Sequence, residues 1–203
     1  MRDISTHATR LQFRLGATAL ALVMSSVASA ERCVVLTLDR DGGRSQGEGV
    51  LIARDGQRGL VLTAKHVLRD ARQPATMIFS EGRYTAVETC LLPNGDMAGM
   101  LADGLRDEKP TAFAPEAPRG SCGTHRGIAP ISTARWNSTA GLPQLIWNRP
   151  SADGDSGGPV YDDQGRVVSI LWGSVDGESH GESWQTTHWM VHQCSQRFRI
   201  PVT

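Results

Sequence analysis

Seven residues, Gly154 to Val160, read GDSGGPV. Three glycines, an acid and a proline in so short a run suit neither a helix interior nor a regular strand. They suit a tight turn whose backbone other groups can approach closely. Whatever fold this chain adopts must hold that turn in place, and the segments around it read mostly as short strands. Cys33 to Leu38 is a β-rich run stopped by Asp39-Arg40-Asp41-Gly42-Gly43. Gly49 to Ala53 and Gly59 to Ala64 flank a turn at Arg54-Asp55-Gly56, which is a hairpin pattern. Thr76 to Phe79, Tyr84 to Leu92 and Met97 to Leu101 complete a first set.

Composition then changes. Asp103 to Gly120 carries three prolines and a charged cluster without periodicity, and reads as a linker between two β units. Beyond it, strands are expected at Gly127 to Ala134, Leu145 to Trp147, Pro159 to Tyr161 and Val167 to Leu171, with a tight turn at Asp163-Gln164-Gly165. Near the end, Trp184, Val191, Cys194 and Phe198 share one helical face, so a C-terminal helix is expected to pack on the second unit.

Residues 1–30 carry a different signal. Arg10 and Arg14 precede the apolar run Leu15 to Met24, and Ala28-Ser29-Ala30 supplies a small-residue cleavage site. That order is expected of a secretory signal peptide, and the run is too short to span a bilayer. The expected division is a leader at 1–30, a first unit at 31–108 and a second at 109–203. A secreted or periplasmic location follows. Without Arg2, Arg10, Arg14 and Asp3, the chain keeps 18 basic and 20 acidic groups, a formal charge of −2. Such a balance argues against nucleic acid or an anionic membrane as a partner held by bulk charge.

The four cysteines, Cys33, Cys90, Cys122 and Cys194, all follow the leader. An even count in an exported chain points to two disulfides, with three possible connectivities. Cys33–Cys90 with Cys122–Cys194 is favoured, since each bridge would close one half. No Cys-x-x-Cys spacing supports a metal site. His188 and His192 lie four apart on the expected helix but lack an evident third ligand. No metal or cofactor is expected.

The chemistry lies in the heptad. A serine flanked by glycines can sit beside two converging N–H groups, here those of Gly154 and Ser156, which would stabilise a developing oxyanion. Its hydroxyl is a weak nucleophile without a base, and the base needs a carboxylate to orient it. Of the five histidines after the leader, His66 has the most telling setting, at the end of the apolar strand in LVLTAKHVL. Asp96, just before the small apolar run in NGDMAGMLA, is the best-placed acid.

These blocks carry a resemblance. LVLTAKHVL resembles the Thr-Ala-x-His block of the trypsin/chymotrypsin-like serine proteases, GDMAGM their aspartate block, and GDSGGPV their nucleophile block. The likeness is to compact bacterial secreted members and spans most of Gly47 to Ser174. It implies an all-β fold: two antiparallel six-stranded β-barrels with a C-terminal helix. It implies catalysis by His66, Asp96 and Ser156, with an oxyanion hole from Gly154 and Ser156. The strand pair in YDDQGRVVSILWGS implies a substrate cleft lined by Leu171, Trp172 and Gly173, with Pro150 six residues before the serine.

The departures are specific. Gly99 stands where the family usually has a large apolar residue, and Lys65 replaces a common alanine, which is tolerable if it faces solvent. With no Ile-Val-Gly-Gly type of terminus, Asp155 needs another partner. Pro150 and Leu171 support neither basic nor acidic selectivity, which leaves a small or apolar residue before the cleaved bond. The expected activity is a monomeric secreted serine endopeptidase acting on proteins or peptides. A silent protease-fold binding protein and an esterase using the same triad are the alternatives.

Overall fold

The computed structural model describes residues 31–202, apart from 40, 70, 120, 125–126, 137–142 and 148–150. The expected leader and Pro150 lie outside the described residues.

Six strands form the first unit: β1 (Arg32–Leu38), β2 (Arg44–Asp55), β3 (Arg58–Thr63), β4 (Thr76–Ile78), β5 (Arg83–Leu91) and β6 (Ala98–Ala102). They pair antiparallel in the order β1-β2-β3-β6-β5-β4, and β4 returns to β1 to close a barrel. The β2–β3 hairpin turns at Gly56, whose φ of 59° is left-handed. β2 and β3 read as continuous apolar runs because both of their faces are buried. Leu51 and Val61 point into the barrel with Cys33, Val35, Met77 and Met100. Val50, Ile52, Leu60 and Leu62 point out, into a second cluster.

The later strands are β7 (Ser121–Thr124), β8 (Gly127–Trp136), β9 (Pro143–Trp147), β10 (Pro159–Asp162), β11 (Val167–Val175) and β12 (Glu178–Glu182). They pair antiparallel in the order β10-β11-β12-β9-β8-β7, and β7 also pairs with β10 through Cys122 and Asp162. The molecule is all-β apart from a short 3₁₀ turn at Lys65–Leu68 and one helix, α1 (Trp184–Phe198). β7 and β12 were not expected. Each is short, and SCGT and ESHGE show no apolar alternation.

Ser183 caps α1 by accepting the N–H of Thr186 at 3.1 Å. Val191, Cys194 and Phe198 are buried as their spacing predicts, and Trp184 is half-buried. The helix does not pack on the second unit alone. Met190, Val191, Cys194 and Phe198 join Leu60, Leu62, Met97 and Leu101 of the first unit and Val167 and Ile170 of the second in one cluster. The apolar outer face of β2 and β3 needs a cover, and the helix supplies part of it.

The segment between the units is held down. The Arg54 guanidinium donates to the carbonyls of Leu105, Arg106 and Glu108 at 3.2, 2.5 and 2.7 Å. The Thr111 N–H donates to Leu51 (2.8 Å), and the Ala114 N–H to Val167 (2.9 Å).

The favoured disulfides are not formed: all four cysteines are free thiols. Cys33 faces the interior of the first barrel, whereas Cys90 packs on the outer cluster beside α1. The barrel wall lies between them. Cys122 sits in the core of the second unit with Val160 and Leu171, away from Cys194 on α1. Cys194 lies near Cys90 instead. Gly99, paired with Cys90 across β5 and β6, makes this possible. A β-carbon there would stand 2.4 Å from Cys194 Sγ, which accounts for glycine where a large residue was expected.

Candidate active site

His66 lies in the 3₁₀ turn that follows β3, and Asp96 in the loop before β6. β3 and β6 are neighbours, with Thr63 opposite Ala98, so the two loops leave the barrel side by side. His66 Nδ1 lies 2.5 Å from Asp96 Oδ2, and the His66 backbone N–H donates to Asp96 Oδ1 at 2.7 Å. One carboxylate thus grips both the ring and the backbone of one histidine. Both side chains remain about one-third exposed, at 35% and 30%. In the tautomer whose Nδ1–H faces Asp96, Nε2 carries the free lone pair.

The aspartate loop is pinned on three sides. The Lys65 N–H donates to the Asp96 carbonyl at 3.2 Å. Lys65 Nζ donates to the carbonyls of Leu92 and Pro93 at 2.9 and 3.4 Å. Lys65 is therefore half-buried and bonded to the loop, not simply turned to solvent. The Asp96 N–H donates to Glu182 Oε1 at 2.7 Å, a contact from the second unit. Neither the Lys65 role nor Glu182 was legible in the sequence; Glu182 sits in a polar strand with no motif around it.

Ser156 reaches the same region from the other unit. Its carbonyl accepts the N–H of Glu48 on β2 at 2.7 Å. Gly157 follows with φ of 90°, a conformation that L side chains rarely adopt. It lies against the Glu48 carbonyl, the Thr63 hydroxyl and the N–H of Ala64. The glycine-rich turn around Ser156 therefore rests on the strand ends that carry His66. The Asp155 carboxylate, buried, accepts the N–H of Ala152 at 2.8 Å, which gives that acid a partner. Among the described residues, the N–H groups of Gly154 and Ser156 donate to no backbone carbonyl.

The Ser156 hydroxyl donates to the carbonyl of Trp172 at 3.3 Å rather than to His66. Catalytic hydrogen bonds are often unmade before a substrate arrives. Leu171 is buried and accepts the Gly157 N–H at 2.7 Å, which locks β11 to the glycine-rich turn. The Trp172 ring lies 5.2 Å from that of His180, and a β-carbon on Gly173 would meet nothing within 4 Å. His188 faces Trp184 and Phe113, and His192 faces Gln196. No group of three metal-ligating side chains occurs among the described residues.

No protein-family model matches the chain, and no curated protein matches it in sequence. Solved structures do. The active form of the Rv3671c protease from M. tuberculosis superposes with a TM-score of 0.68 at 19% identity, over 85% of this chain and 86% of that one. The inactive form of the Rv3671c protease gives 0.65 at 20%, over 86% and 95%. The HtrA-type protease AlgW with a tripeptide gives 0.63 at 18%, over 83% of this chain and 61% of that one. By fold, this chain stands with the trypsin-like serine proteases.

Proposed function

We propose that this protein is a serine endopeptidase in which Ser156 is the nucleophile, His66 the base and Asp96 the residue that orients the histidine. The observation that carries this reading is the double grip of Asp96 on the ring and the backbone of His66. Few structural roles require a carboxylate to fix both the tautomer and the placement of a solvent-facing imidazole. The fold shared with proteases supports it.

In this reading Ser156 Oγ turns from the Trp172 carbonyl toward His66 Nε2 and attacks the substrate carbonyl carbon. Its proton passes to Nε2. The oxyanion is met by the N–H groups of Gly154 and Ser156. The C–N bond breaks, the leaving amine takes the proton from His66, and an acyl-serine remains. Water, deprotonated by His66, then releases the acid. Leu171, Trp172 and Gly173 line the cleft for the peptide. The later six strands serve as the second barrel. We further propose that residues 1–30 are removed on export, that the protein works as a monomer outside the cytoplasm, and that it favours small or apolar residues before the cleaved bond.

One observation favours a second reading, a silent binding protein: the bond from Ser156 to Trp172. Fluorophosphonate labelling separates the two. The endopeptidase reading expects one adduct per molecule, mapped to Ser156 and absent in His66→Ala. A folded protein that takes no adduct overturns it. Labelling with ester turnover but no peptide cleavage would favour an esterase.

A further inference from the structure

Glu182 is the last residue of β12, in the second unit, yet its carboxylate meets the first unit at the candidate active site. It is 3% exposed. Its Oε1 accepts the Asp96 N–H at 2.7 Å, and its own carbonyl accepts the Ser169 hydroxyl at 2.5 Å. The second bond ties it to β11, the strand that also carries Leu171 and Trp172. Gly95 leaves the space needed: a β-carbon there would lie 2.8 Å from Glu182 Oε1 and 2.3 Å from Leu92 Cδ2.

Burying a carboxylate is costly unless it is bonded, so this one is expected to have a specific task. Asp96 sits in a loop, where position depends on what holds the backbone. Lys65 holds the loop's carbonyls from the histidine side. Only Glu182 holds the Asp96 N–H among the described hydrogen bonds. Moving that N–H would move the carboxylate that grips His66.

We infer that Glu182 is a positioning residue for catalysis: by accepting the Asp96 N–H across the boundary between the two units, it sets the His66–Asp96 pair only when both units are docked. This rests on the endopeptidase reading. It adds that the unit carrying the nucleophile also completes the base.

The test compares Glu182→Gln, Glu182→Leu and Gly95→Ala in the full chain. Two readouts are used: saturation kinetics of fluorophosphonate labelling, and the low-field proton resonance of the His66 Nδ1–H. Glutamine keeps the acceptor oxygen and should retain most of the maximal labelling rate. Leucine removes the acceptor, and the maximal rate should fall on the order of 10²-fold from misplacement alone. The half-saturating probe concentration should stay unchanged, because the cleft is intact. Gly95→Ala, which crowds the same bond from the other side, should lower the rate likewise. The low-field proton should stay sharp in Glu182→Gln and broaden in the other two.

A folded Glu182→Leu with the wild-type rate and a sharp proton overturns the inference. So does a Glu182→Gln as slow as the leucine variant. If the leucine variant does not fold, a wild-type rate and a sharp proton in Gly95→Ala overturn it. Failure of the wild type to label would instead sink the endopeptidase reading, while the proton would still report whether Glu182 positions the pair.

Discussion

A β-carbon on Gly157 would stand 2.1 Å from the carbonyl oxygen of Glu48. That oxygen belongs to β2, and it already accepts the Thr63 hydroxyl at 2.7 Å. It cannot retreat without breaking the wall of the first barrel. Gly157→Ala would also force an L side chain to a φ of 90°. The conformation alone costs roughly 1–3 kcal/mol, and the overlap adds to it. The expected outcome is a lower urea midpoint with an unchanged slope, together with lost labelling at Ser156. A variant of wild-type midpoint would show that the glycine-rich turn is not seated on β2.

Asp96→Asn preserves size but presents an amide to His66 Nδ1. The ring then loses the acceptor that holds its tautomer. Turnover should fall by about 10⁴-fold while the circular dichroism spectrum stays native. A fall of less than tenfold would remove Asp96 from the machinery.

Glu182 makes stability depend on pH in a definite direction. Its carboxyl is pushed above the usual range, first by burial and also by the Asp96 charge, against the Asp96 N–H and the Lys65 ammonium. A raised acid stabilises the fold fully below its unfolded value, about 4.3, and loses that contribution as pH rises through its folded value. Glu182→Gln has no charge to bury. Its melting temperature relative to wild type should therefore climb as pH rises from acid toward neutral. A difference that is flat with pH would mean the buried acid costs the fold nothing.

Cys90 and Cys194 should form one disulfide under mild oxidation, and no other pair should appear. Cys33 and Cys122 lie in separate cores, apart from each other and from the Cys90–Cys194 pair. Peptide mapping after oxidation checks the pairing. The bridge would join α1 to β5 and should add about 2–4 kcal/mol to stability. Recovery of Cys33–Cys90 or Cys122–Cys194 from folded protein would contradict the placement of these residues.

What could be read from the sequence was what local chemistry fixes. The hairpin at Gly56, the turn at Gly165 and the helical face of Val191, Cys194 and Phe198 each follow from a few neighbouring side chains. His66 and Asp96 were legible because the end of a buried strand and the mouth of a small-residue strand are distinctive local settings. The rest depended on tertiary contacts. ESHGE has no apolar residue, so β12 is a strand only because β9 and β11 flank it. Glu182 became visible with it. The cysteine pairing failed because chain halves do not reveal which face of a strand each thiol occupies. Gly99 looked like a defect in a motif until Cys194 was seen above it.

The cluster shared by β2, β3, β6, β11 and α1 also has a meaning for synthesis. Residues of β2 and β3 leave an oily flank open until Phe198 and Ile200, far later in the sequence, fold back over it. A chain growing from its N-terminus cannot complete that first half early. It keeps that flank open until α1 has formed and packed over it, so the first barrel and the helix complete one another.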